Sequence, residues 1–181
     1  GQALDSFSDK CDVIRGLSTG ETNRFYRYFW EVDSFSDVWS YLRDTADQTE
    51  KFAGMSFIIK WENEAGELAD LAESLKHLNH AVQSWRRGKP YWGRCGIAIN
   101  RMANLNGSLY LGERFTDNVG IIVPHEESLL APIWEYVSSG ELAKDLRKIN
   151  TKLAVEPRYL KALKFDLNYW NEVAEEKYPK G

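Results

Sequence analysis

Residues 86–112, RRGKPYWGRCGIAINRMANLNGSLYLG, carry two messages at once. The second half alternates. GIAINR at 96–101 would put Ile97 and Ile99 on one face of a strand and Ala98 and Asn100 on the other, and GSLYL at 107–111 reads as its neighbour. The first half is basic. Arg86, Arg87, Lys89, Arg94 and Arg101 stand here without one acid, a local charge of +5 in a chain of net charge −4. Tyr91 and Trp92 lie among those charges, beside Gly93 and Gly96. Cations interleaved with flat rings and amides (Asn100, Asn104, Asn106) suit a polyanion with base edges to read. A solvated basic face beside a strand is the plainer alternative.

Upstream, Leu68, Leu71, Leu75, Leu78, Val82 and Trp85 recur at spacings of three and four, which predicts one long amphipathic helix over 67–86. Gly88 would end it, and Arg86, Arg87 and Lys89 would suit its C-terminal dipole. Arg94 and Arg101 lie beyond that reach. His77 and His80 are three apart on this helix, but no Cys or carboxylate pattern completes a metal site.

Nearer the start, residues 11–16 read as a strand, 17–23 as turn chemistry and 24–32 as a second, aromatic strand. Thr19, Asn23 and Arg24 would sit in the loop between them. Residues 36–43 read as a short helix and 56–61 as a strand. Downstream, 118–124 is strand-like, and 128–138 and 141–149 are helical around a Ser139-Gly140 break. Residues 152–155 read as extended, Pro157 starts a helical turn, and 168–176 closes as a polar helix. The fold expected is α+β: a twisted mixed or antiparallel sheet packed on the long helix, with a helical C-terminal segment. The chain reads as one domain over 1–181, with 1–10 a linker-like lead and 126–181 a helical subregion.

The 181 residues are 43% hydrophobic and 28% charged, ordinary for a globular protein. Aromatics at 13%, seven of them Trp, are abundant and could form core or a stacking surface. Cys11 and Cys95 are too few for a disulfide framework, which with no signal peptide and no bilayer-length run predicts a cytoplasmic setting. A first residue of Gly rather than Met suggests part of a longer protein. Residues 31–73 hold eleven acids against three bases, and residues 144–164 hold seven bases against two acids. A pI near 5.5 therefore says little about the local field.

Catalytic chemistry is not legible. There is no Gly-x-Gly, so neither a dinucleotide fingerprint nor a P-loop, and no segment is read as a nucleophile elbow. The pairs Glu62/Glu64 and Glu126/Glu127 sit in polar turns and read as solvated carboxylates.

The order Gly16-Leu17-Ser18-Thr19-Gly20, Arg24-Phe25, Trp30-Glu31-Val32, Lys60-Trp61-Glu62-Asn63, Tyr91-Trp92-Gly93-Arg94, Ser108-Leu109-Tyr110 and 119–124 resembles the C-terminal target-recognition region of adenine-specific DNA methyltransferases. Large type IIG-like restriction–modification and BREX-type phage-exclusion enzymes are the nearest in pattern. Helical 128–149 and YLKALKFD at 159–166 resemble the end of such regions. One departure is Asn23, three residues after Gly20, where relatives carry Asn at two. The resemblance implies recognition of double-stranded DNA for a domain that methylates adenine N6 with S-adenosylmethionine. That family's Asn-Pro-Pro-aromatic motif and Gly-rich cofactor loop are missing here, so the chain alone is expected to be no enzyme and to bind no cofactor.

On that footing Lys89, Arg15 and Arg24 would contact phosphate, while Arg94, Arg101 or Asn100 would read base edges. Thr19 and Asn23 would approach DNA from their loop. Tyr91 and Trp92 would stack, wedge, or pack under it. Two other readings remain: a protein-interaction module using the acidic 31–73 span, and a Trp-rich carbohydrate-binding domain or small hydrolase.

Overall fold

The computed structural model describes residues 3–78 and 81–180. Its strands and α-helices are β1 (Asp5–Ser6), β2 (Cys11–Arg15), α1 (Thr22–Phe25), β3 (Tyr26–Tyr28), β4 (Trp39–Arg43), β5 (Phe57–Lys60), α2 (Glu67–Ser74), β6 (Gly96–Asn100), β7 (Gly107–Tyr110), β8 (Arg114–Phe115), β9 (Val119–Pro124), α3 (Leu130–Ser138), α4 (Glu141–Ile149), α5 (Pro157–Lys161), β10 (Lys164–Phe165) and α6 (Leu167–Lys177). The α+β class is as expected, but the sheet is not single. One four-stranded sheet runs β2-β9-β6-β7, antiparallel throughout. Another runs β3-β5-β4-β8, with β4 and β8 parallel.

The period-two reading of β6 holds. Ile97 and Ile99 join Val13, Ile122 and the apolar faces of α3, α4 and α6 in one core; Ala98 faces the other way, into Tyr110, Phe115 and Ile121. Strand β9 is apolar along its whole length because both its faces are covered. The sheets are tied by Arg43 at the end of β4, 1% exposed, which donates to Ser108 Oγ at 2.9 Å, to Glu113 at 3.1 Å and to the Ala53 carbonyl. The Glu113 side chain is itself nearly buried, so the ion pair lies inside rather than in solvent, with Arg43 Nε and Glu113 Oε2 left without hydrogen-bond partners among the described residues.

Three expectations change. The long helix over 67–86 is only eight residues, Glu67–Ser74. Lys76 N–H bonds back to the Glu73 carbonyl, three residues away, and the Ala72 carbonyl accepts from the Gln83 side chain at 2.6 Å instead of a helical N–H. Beyond that cap the chain turns, so Val82 and Trp85 reach the core by a new route while Leu78 is 62% exposed. Arg86, Arg87 and Lys89 thus do not end a helix. Residues 36–43 contain strand β4 rather than a helix, because Trp39–Arg43 pairs with β5, and tertiary pairing overrides weak local preference. The aromatic strand over 24–32 shrinks to Tyr26–Tyr28, between a helical turn and a 3-10 turn.

Within the lead of 1–10, residues 5–10 are structural: β1 pairs with β10, and Phe7 is fully buried against Tyr136 and Phe165. No described helix is long and apolar enough to cross a membrane.

Candidate nucleic-acid interface

Antiparallel pairing sets Arg15, last in β2, opposite Gly120, and Asn100, last in β6, opposite Val119. The loops at this end of the first sheet therefore converge. Arg15 Nη2 lies 3.1 Å from Asp117 Oδ2. Arg101 donates to the Asp117 carbonyl at 2.7 Å, to the Val155 carbonyl at 2.9 Å and to Glu156 at 3.3 Å. Arg87 donates to the Gly16 carbonyl at 3.2 Å and to Ser84 Oγ at 2.5 Å. Burial holds the Arg87 and Arg101 guanidiniums below their ordinary range, and Arg15 nearby pushes both the same way. Arg15 Nε is buried without a hydrogen-bond partner among the described residues. Three partly buried guanidiniums face only two carboxylates, and one buried donor has no partner among the described residues. Such a cluster can receive an anion through charge-assisted bonds.

Thr19 borders this cluster but is 1% exposed, its Oγ1 accepting from Glu21 N–H at 3.2 Å. It shapes the loop rather than offering a surface. Gly16–Gly20 does spell Gly-x-Ser-x-Gly, but it is no elbow. Leu17 bridges to Thr116, and six residues separate β2 from α1 where an elbow turns sharply. His125 spends its ring nitrogens on the Asp9 carbonyl and Asp12.

A second group flanks α2. Arg24 bonds Glu67 at 2.6 Å and Glu21 at 3.1 Å; Lys89 and Arg86 reach Glu64 at 2.7 and 3.4 Å. Asn23 is exposed nearby, its carbonyl accepting from Arg27 at 2.8 Å. Glu64 comes from a turn in which Glu62, Asn63 and Glu64 have φ of 49°, 54° and 66°. Consecutive left-handed residues other than Gly are costly, roughly 1–2 kcal/mol each. The Glu62 carboxylate steadies the turn by accepting the Glu67 N–H at 2.8 Å.

The third group lies at the opposite end of β6. Arg94 is exposed, 5.6 Å from the Tyr91 ring centroid, without an ion-pair partner among the described residues. With Cys95, Val123, Pro124 and His125 it lines a pocket of about 400 Å³. Tyr91 donates to Asp12 at 3.4 Å. Trp92 packs edge-on against Trp61 at 5.2 Å with the Arg114 guanidinium 4.7 Å from its ring centroid.

The sequence-selected residues thus do not gather in one place. Asn100 and Arg101, expected to read bases, are committed elsewhere: both ends of the Asn100 amide bond the Ala46 backbone, at 2.9 and 2.7 Å, and Arg101 is 9% exposed. Arg94 remains open. Sequence reasoning undervalued Arg87, assigning it to a helix end, and missed Asp117, which no motif marks. No described cluster of His, Cys, Asp or Glu could hold a metal; His80 lies outside the described residues.

What the fold defines is an α+β unit of two four-stranded sheets closed by a helical C-terminal segment. A similar solved structure is the HsdS subunit from Thermoanaerobacter tengcongensis, with a TM-score of 0.51 and 11% identity, covering 96% of this chain and 35% of that one. The chain thus spans about a third of that subunit's length. No family model and no curated protein matches the sequence.

Proposed function

We propose that this chain recognises double-stranded DNA on behalf of an N6-adenine methyltransferase in a restriction–modification or phage-exclusion system. The observation that carries the reading is the fold. The likeness to the HsdS subunit extends over 96% of this chain. The resemblance of residues 16–124 to target-recognition regions points the same way. The Arg15–Arg87–Arg101 cluster supplies phosphate-binding chemistry, and exposed Arg94 supplies a fork able to pair with guanine. S-adenosylmethionine and the transfer chemistry belong, in this reading, to a methyltransferase partner or domain in the cytoplasm.

The test is anisotropy of a labelled duplex across a salt series. Binding should weaken with a log–log slope of about −0.9 per phosphate contact, for ~3–5 contacts. Arg15→Ala and Arg87→Ala should each reduce that slope by about one contact's worth. A flat salt response would point to a protein partner instead. Calorimetry with S-adenosylmethionine should show no binding to this chain; micromolar binding would overturn the division of labour.

A further inference from the structure

Two exposed rings, Phe35 and Tyr41, stack with centroids 4.7 Å apart, but Tyr28, Phe29 and Trp30 form the larger group, consecutive in sequence and 41%, 52% and 61% exposed. They begin on β3, an edge strand of the second sheet, whose described ladder partner is β5. The rings are ordered. Trp30 stacks on Tyr28 with centroids 4.6 Å apart and planes 9° from parallel, Tyr28 stacks on Phe57 at 4.5 Å, and Phe29 meets Trp30 edge-on at 5.0 Å. A contiguous exposed aromatic patch of this kind marks an interaction surface.

Its charge selects the occupant. No Lys, Arg or His occurs between Tyr28 and Leu42, while Glu31, Asp33 and Asp37 are all exposed. Asp33 and Asp37 have no cationic partner within 4.0 Å among the described residues. A phosphate backbone would be repelled here, whereas an ammonium or guanidinium would meet both a carboxylate and the face of an indole. We infer that the Tyr28–Trp30 stack and its flanking acids form a docking site for a Lys- and Arg-bearing amphipathic segment of a partner protein. The site is separate from the arginine cluster and does not depend on the DNA-recognition reading.

The probe is a synthetic amphipathic peptide of leucine, lysine and arginine, labelled for anisotropy, with chemical-shift mapping of the indole of Trp30. It should bind in a salt-sensitive way and perturb Trp30. Trp30→Ser and Asp33→Lys alter exposed positions, should keep the wild-type melting temperature, and should each weaken the peptide by about tenfold or more. Equal binding of a peptide with glutamate at the basic positions would overturn the inference. So would perturbation confined to other residues, occupation of the patch by duplex DNA or an oligosaccharide, or burial of Trp30 in a dimer detected by light scattering.

Discussion

Asn100 and Ala46 are joined twice: the side-chain oxygen accepts the Ala46 N–H at 2.9 Å and the side-chain nitrogen donates to the Ala46 carbonyl at 2.7 Å. The amide imitates a strand neighbour and fixes the connection that carries the chain from β4 to β5. Asn100→Ala leaves both backbone groups of buried Ala46 without those partners, at an expected cost of about 1–3 kcal/mol. Urea unfolding measures it, and wild-type stability would remove this structural role and return Asn100 to the possible base readers.

Arg101 and Arg94 should separate cleanly. Arg101→Met removes three hydrogen bonds inside the loop cluster and is expected to destabilise by about 2 kcal/mol or more. Arg94→Ala should change stability by no more than about 0.5 kcal/mol, since the side chain is exposed and makes only a ring contact. If Arg94 reads a base, the same variant in a complete methylating assembly relaxes preference at one target position, by about 1–3 kcal/mol. An unchanged methylated motif with normally folded protein would exclude it as a reader.

Glu64 holds Arg86 and Lys89 from a left-handed position, φ 66°. Glu64→Gly frees both cations and gives the backbone a residue that tolerates that angle, so duplex DNA should bind more tightly with a steeper salt slope, at little cost in melting temperature. Weaker binding by the variant would mean that Glu64 shapes the surface instead of masking it.

Hydrogen bonds from Lys60 and then Arg24 hold the Glu67 carboxyl below its usual range. A depressed carboxylate contributes stability above its unfolded pKa, about 4.3, and loses it as pH falls through the lower folded value. The acid limb of a stability–pH curve should therefore flatten in Glu67→Gln. An unchanged limb would show that these exposed pairs contribute nothing measurable.

Strand β6 was legible because period-two alternation needs only local residues, and its two faces enter two different cores as read. Helix α4 was legible because the Ser139-Gly140 break sits just before it, with Gly140 at φ 86°. The 67–86 stripe misled because spacing of three and four says nothing about Gln83 folding back to cap Ala72. The basic segment misled more deeply. Its charge was summed along the chain, whereas the field depends on Glu64, Asp117 and Glu156, brought in from 16 to 55 positions away in sequence. Pairing of that kind leaves no local signature. Nor do the bonds that Asn100 makes to the Ala46 backbone and Arg101 to the Asp117 and Val155 carbonyls.

Pairing also bears on how a polyanion would arrive. Arg15, Arg24, Arg86, Lys89 and Arg101 each carry a carboxylate alongside. Beyond a Debye length, about 8 Å at physiological salt, each such pair looks close to neutral. Long-range attraction is then weak, and encounter proceeds by unguided diffusion, nearer to about 10⁵–10⁶ M⁻¹s⁻¹ than to the steered limit. Discrimination between partners then rests on how long a complex survives, not on how quickly it forms.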